Sequence, residues 1–268
     1  MSRTIGLLTD FGLDDPYVGQ MKGVLAIHAP ESYVIDVSHG VSPFCIAQGA
    51  FFLAAAMNHF PENTIFITVV DPGVGSGRKI IGAEFNERIV IAPDNGILEL
   101  AESQFTGTMI VTDLSETAGK MSSSSTFHGR DLFAPLAAEI ASGTSLENLG
   151  PKFPLRNLVR KGIQKPVWKN DEVKVIVLHK DRFGNLILNI PDKQIMPERM
   201  CISREKCNVC CVKRVSCYTE LEDMSIGLLA GSQGFYELAL KRGSASEMLG
   251  VEPEDTLILK WSGQCEKG

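Results

Sequence analysis

The 268-residue chain carries 26 Lys and Arg against 32 Asp and Glu, a formal charge of −6, with no basic run, which excludes the positive stripe that nucleic acid binding wants. Its 44% hydrophobic and 22% charged content is that of a soluble globular protein and excludes disorder. No run approaches the roughly 18 apolar residues of a membrane span, and the first ten residues lack the apolar stretch and cleavage site of a signal peptide, so cytoplasmic residence is expected.

In chain order, Ile5–Thr9, Tyr33–Val37 and Thr64–Val70 read as buried strands, being short, rich in branched residues and bounded by Asp, Gly or Pro. Between them, Tyr17–Ala29 and Cys45–Phe60 carry helical spacing, with Ile46, Ala50, Leu53, Ala54 and Met57 on one face. This β-α-β-α-β order predicts an α/β domain with a mostly parallel sheet and helices on its faces. Ligands of such sheets gather at the carboxyl ends of the strands, where Asp10 and Asp71 stand. Shorter strands are predicted at Lys79–Glu84, Arg88–Ala92 and Met109–Val111, and a helix at Leu132–Ser142. Pro151, Pro154 and Pro166 mark a connection, dividing a first domain at 1–165 from a second at 166–268. Beyond it, Val173–Leu178, Leu186–Ile190, Val209–Tyr218, Phe235–Leu240 and Thr256–Trp261 read as strands and Ala245–Leu249 as a short helix, so a smaller all-β barrel or sandwich is expected.

Seven cysteines are present, five of them (Cys201, Cys207, Cys210, Cys211 and Cys217) within seventeen positions. The odd total without an export signal argues against a disulfide framework. The spacing lacks the paired C-x-x-C of zinc ribbons, and adjacent Cys210 and Cys211 in a strand point to opposite faces, so small apolar strand residues are favoured over a metal site.

Two distant segments offer chemistry, V-V-D-P-G-V-G-S-G-R-K at 69–79 and F-H-G-R-D at 127–131. Converged, Asp71, Arg78 and His128 supply a carboxylate, a guanidinium and an imidazole able to hold and orient a small anionic nucleophile such as hydroxide. The glycine loop fits neither phosphate template, since Arg78 occupies the sixth place of G-x-G-x-x-G and no Gly-Lys-Ser/Thr follows. Read alone it is a plain turn. Asp10, read alone, is equally a cap for the helix beginning near Asp15. Asp94 and Asn95 serve a turn as readily as a ligand, and His28, His39, His59 and His179 read as structural.

Taken together, T-D-F-G-L-D-D-P-Y-V-G-Q-M-K-G at 9–23, V-D-P-G-V-G at 70–75 with Arg78, A-P-D-N-G at 92–96, F-H-G-R-D-L-F-A-P at 127–135, D-R-F-G-N at 181–185 and G-S-Q-G-F-Y-E-L-A-L-K-R-G-S-A at 231–245 resemble the S-adenosylmethionine (SAM) hydrolases that release adenosine and methionine, relatives of the SAM-dependent fluorinase and chlorinase. The resemblance implies an N-terminal α/β domain, a C-terminal β-barrel and a homotrimer with active sites between subunits. It carries the catalytic set onto Asp71, Arg78 and His128, with SAM as substrate and no metal or other cofactor. Asp10 is expected to hold the ribose hydroxyls, Asn185 the adenine edge and Phe183 the base. Asp181 and Glu237 are expected at the methionine ammonium and Ser232 at its carboxylate.

Two departures from the halogenating relatives stand out. Gln233 stands where they carry Arg, so recognition of the methionine carboxylate is less strongly charged; Asp71 stands where they carry an aromatic residue, and its carboxylate would repel a halide, which favours hydrolysis. The competing readings are a SAM-dependent halogenase and a non-catalytic adenosine or SAM binding protein.

Overall fold

The structure, a computed structural model, describes residues 2–105, 107–121, 126–163, 165–204 and 207–261, with the side chains of 204 and 207–209 outside that description. Two compact units divide the chain, residues 1–161 and 162–268.

In the first unit, β1 (Thr4–Thr9), α1 (Tyr17–His28), β2 (Tyr33–Ser38), α2 (Ile46–Met57) and β3 (Ile65–Val69) follow the expected alternation. After them come β4 (Ile80–Phe85), β5 (Arg88–Pro93), α3 (Glu99–Gln104), β6 (Met109–Asp113), α4 (Ser115–Met121), a π-helical turn at Gly129–Phe133, α5 (Ala134–Ala141) and α6 (Leu146–Leu149). The sheet order is β2-β1-β3-β5-β4-β6. β2, β1, β3 and β5 are parallel, while β4 runs antiparallel to β5 and β6.

Alternation along the central strands explains the layers. Ile5 and Leu7, Ile65 and Ile67, and Ile89 and Ile91 point to one face, where Met21 and Leu25 of α1 and Leu136 and Ile140 of α5 join them in one buried cluster. α2 lies against β1 and β2. It comes in closely through Gly49, where a Cβ would stand 2.9 Å from Val70 and 3.2 Å from Ile97.

β1 leads outward to β2, and the chain then crosses back to lay β3 on the other side of β1. The crevice at the carboxyl ends of β1 and β3 is therefore a topological switch point. Thr9 pairs with Val69 there, so the residues that follow, Asp10 and Asp71, leave the sheet side by side. The expectation of a buried strand at Tyr33–Val37 is corrected. β2 is an edge strand with a single neighbour, and Tyr33 and Ile35 are exposed.

The second unit contains β7 (Val167–Lys169), β8 (Glu172–Lys180), β9 (Leu186–Pro191), β10 (Arg199–Arg204), β11 (Cys207–Arg214), β12 (Ile226–Ala230), β13 (Phe235–Leu240), α7 (Ala245–Leu249) and β14 (Thr256–Lys260). The order β14-β10-β11-β12-β13-β9-β8-β7 closes through a β14–β8 pairing into a barrel. Its neighbours are antiparallel except β11 with β12. Val173, Val175 and Val177, Leu186, Leu188 and Ile190, and Leu257 and Leu259 alternate into the interior and fill it. α7 starts where Ser244 Oγ accepts from Glu247 N at 3.0 Å and stops at Gly250 in a left-handed conformation, φ 61°.

The strand expected over Val209–Tyr218 ends at Arg214, and Tyr218 opens a 3-10 turn at Tyr218–Glu220. Cys45, Cys210, Cys211 and Cys217 are outside any disulfide, and no metal-binding cluster forms among the described residues. Cys201 is disulfide-bonded, which corrects the expectation of uniformly reduced strand residues.

Candidate active site

A cleft of about 330 Å³ opens at the switch point, lined by Asp10, Tyr17, Phe44, Asp71, Val74 and His128 among others. It brings together the four candidate residues that sequence reasoning drew from the first 165 positions: Asp10, Asp71 and His128 line the cleft, and Arg78 is tied to Asp71.

Asp10 follows β1 directly, and its Oδ2 accepts from Phe44 N at 2.9 Å. Phe44 holds φ 68°, an uncommon conformation for a bulky residue that aims its N–H at the carboxylate. The capping alternative for Asp10 does not hold, because α1 begins at Tyr17 behind Pro16 with no side-chain cap. A polar chain lies beneath: Thr9 Oγ1 meets His39 Nδ1 at 2.8 Å, His39 Nε2 meets Asp36 at 3.0 Å, and Lys22 meets Asp36 at 2.7 Å. His39 also accepts from Gly12 N through its carbonyl at 2.9 Å, so this buried histidine ties down the loop bearing Asp10.

Asp71 follows β3 after one residue, and its side chain is only 5% exposed. One oxygen accepts from Gly73 N at 3.1 Å and the other pairs with Arg78 Nη2. Gly75 lets the loop turn back with φ 79°. Burial pushes the Arg78 guanidinium below its ordinary value, but arginine stays charged at any working pH.

His128 immediately precedes the π-helical turn, a form of winding frequent at functional sites. Gly129 beside it admits close packing: a Cβ there would come within 3.1 Å of Phe11 and of Phe127. Those rings and Tyr17 pack edge to face, with centroids 5.1 to 6.0 Å apart, as the apolar wall of the cleft. Arg130 lies over Phe127 at 5.2 Å and forks onto Asp131 at 2.7 and 2.8 Å. His128 Nδ1 is buried without a hydrogen-bond partner among the described residues. Burial and then the charge of Arg78 depress the imidazole pKa, against a smaller opposing effect of Asp131. The ring is thereby kept neutral, with a nitrogen available to take a proton.

The remaining candidates lie in the second unit. Asp181 organises the turn between β8 and β9, its Oδ1 accepting from Phe183 N at 2.8 Å and Asn185 N at 2.9 Å, and its Oδ2 accepting from Asn185 Nδ2 at 2.9 Å. Asn185 is thus buried and fixed, whereas the Phe183 ring is 78% exposed. Ser232 is exposed, with Gln233 Nε2 at 3.3 Å from its Oγ. Glu237 is buried on β13 and accepts from the Tyr218 hydroxyl. Burial raises the Glu237 pKa, the Tyr218 bond works against that, and the Asp181 charge adds to it.

Sequence reasoning assigned no role to Phe11, Tyr17, Phe127 or Tyr218. The three ring positions of the cleft wall were visible as aromatic residues inside or beside the T-D-F-G and F-H-G motifs. Tyr218 gave no signal, since only the fold sets it beside Glu237.

Comparison with known proteins matches residues 5–150 to the SAM hydroxide adenosyltransferase N-terminal domain and residues 175–258 to the SAM hydroxide adenosyltransferase C-terminal domain. The (R)-S-adenosyl-L-methionine hydrolase of Thermus thermophilus is 32% identical over 263 residues, covering 93% of this chain and 96% of that protein. The protein of the same name from Methanocaldococcus jannaschii is 34% identical over 267 residues, covering 94% of each. A fluorinase of Nocardia brasiliensis is more distant, at 26% identity over 211 residues, 69% of this chain and 70% of that one. Among solved structures, an uncharacterized conserved protein from Thermotoga maritima superposes with a TM-score of 0.83 at 31% identity, covering 96% of this chain and 100% of that chain. With both domain descriptions matched in order and full-length relatives above 30% identity, the chain belongs to the SAM hydroxide adenosyltransferase family.

Proposed function

We propose that this chain hydrolyses S-adenosyl-L-methionine to adenosine and L-methionine by attack of water on the ribose 5′ carbon, and that the (R)-sulfonium epimer named for its relatives is the form it prefers. The observation that carries this reading is the buried Asp71–Arg78 pair in one cleft with His128, whose Nδ1 has no hydrogen-bond partner among the described residues. In the reaction the water oxygen bonds to C5′, the C5′–S bond breaks, and its electron pair stays on sulfur. Methionine leaves as a neutral thioether, so no acid is needed there and no metal or other cofactor is asked for.

The site has to make water nucleophilic. His128 takes the proton of the attacking water, Arg78 stabilises the hydroxide-like oxygen, and Asp71 fixes the guanidinium and orients the water. Charge cancels as oxygen approaches the sulfonium-bearing carbon, so the apolar wall of Phe11, Tyr17 and Phe127 favours the transition state over solvated reactants. Asp10, with one oxygen already held by Phe44 N, offers the other to the ribose hydroxyls. Asn185 and Phe183 serve the adenine, and Asp181, Glu237 and Ser232 the amino acid end of the substrate.

A carboxylate at the nucleophile's position disfavours a halide, and the hydrolase relatives match over more of the chain than the fluorinases do. Single replacements Asp71→Asn, Arg78→Met and His128→Ala should each lower kcat by about 100-fold or more, a size typical of lost proton-transfer or oxyanion-type stabilisation, with KM for SAM nearly unchanged. Steady-state kinetics checks this, and equal loss of affinity would instead support a binding protein.

A further inference from the structure

We infer that Asn95 is a positioning residue that sets the Asp71–Arg78 pair in register, an inference that rests on reading that pair as catalytic. Asp94 and Asn95, in the turn after β5, are outside the lining of this cleft. Each instead holds one stem of the loop that carries the pair. Asn95 Nδ2 donates to Val70 O at 2.8 Å, immediately before Asp71. Asp94 N donates to Lys79 O at 2.9 Å, immediately after Arg78.

Between those two clamps the loop makes local hydrogen bonds, Gly73 N to Asp71 Oδ1 at 3.1 Å and Ser76 N to Gly73 O at 3.0 Å, and closes with the ion pair. Its seating on the sheet therefore depends on its stems. The Asn95 amide is only 9% exposed and its rotamer is fixed, because Oδ1 accepts from Ile97 N at 3.3 Å. Gly96, at φ 100°, lets the chain turn so that donor and acceptor of one side chain serve two backbones. The Asp94 side chain turns the other way and accepts from Val159 N at 2.9 Å, anchoring the turn behind the site.

Removing the Asn95 donor frees the Val70 carbonyl and lets the Asp71 backbone drift. A displacement near 1 Å in a reacting geometry costs on the order of 100-fold in rate. Asn95→Ala, and the near-isosteric Asn95→Asp should the first fail to fold, are therefore expected to lower kcat by about 10- to 100-fold while leaving KM for SAM and the Kd for adenosine within about threefold, because the ribose and adenine contacts lie elsewhere.

A double-mutant cycle separates positioning from general destabilisation. Asn95→Ala added to Arg78→Met should slow the residual reaction no further. A full, additive loss in the Arg78→Met background, or a normal kcat in Asn95→Ala and Asn95→Asp, would overturn the inference. A fully active Arg78→Met enzyme would instead remove the catalytic reading on which the inference rests, and the two failures are thereby told apart.

Discussion

His128 is the side chain whose environment most directly decides its chemistry. Burial first, and the Arg78 charge second, lower its pKa from the ordinary histidine value. A lowered pKa means that the neutral, proton-accepting form persists to a pH below about 6.5, where a solvated histidine is half charged. Taking away the neighbouring positive charge removes one of the two depressing influences. An NMR titration should therefore place the His128 pKa below the ordinary value in the parent protein and higher in Arg78→Met. No upward movement would show that Arg78 does not act on the ring. At this scale the sequence marked Asp10, Asp71, Arg78 and His128 because chemistry-bearing residue types stood at strand ends and beside glycines. It could not decide whether Asp10 caps a helix or faces a cleft, since that turned on the 2.9 Å bond from Phe44, 34 positions away. Asn95 was open for the same reason, its partner Val70 lying 25 positions earlier.

Among the elements, long apolar runs were the legible ones. β1, β3, β5 and β13 fall within one or two residues of their expected bounds, because burial on both faces or strict alternation leaves a clear pattern. α3, with six residues, and β12, interrupted by Gly227, are too short or too mixed to show a period. The helix expected at Leu132–Ser142 splits into a π-helical turn and α5, a change of winding that periodicity does not encode. Close backbone approach is equally hidden. Gly150 passes β6 so tightly that a Cβ would overlap Asp113 O, while the neighbouring Pro151 O accepts from Asp113 N at 2.9 Å. Gly150→Ala must push that segment off the strand, a form of overpacking that costs roughly 1–3 kcal/mol. Calorimetry should show Tm lower by several degrees, and an unchanged Tm would mean the segment yields freely.

For the whole molecule, an α/β unit and a smaller all-β unit were foreseeable from the change of texture near residue 160, where helical periods give way to short alternating strands. Texture left barrel and sandwich open, since closure depends on β14 pairing with β8, Thr256 with Ile176 through Lys260 with Glu172. No helix among the described residues is long and apolar enough to cross a membrane. Leu13, Tyr33, Ile35, Phe44 and Val74 leave apolar surface on β2 and near the cleft, surface that a homotrimer of the kind the family resemblance implies would have available to cover. Light scattering should return three chain masses, and a monomer active at nanomolar concentration would contradict it. The central claim is attack by water at C5′, and it is tested most directly by incubating the protein with SAM in halide-free, ¹⁸O-enriched water and weighing the products. The account predicts adenosine carrying ¹⁸O at its 5′ hydroxyl, with methionine in equal amount. Unlabelled adenosine, or SAM of both sulfonium configurations left intact, would contradict it.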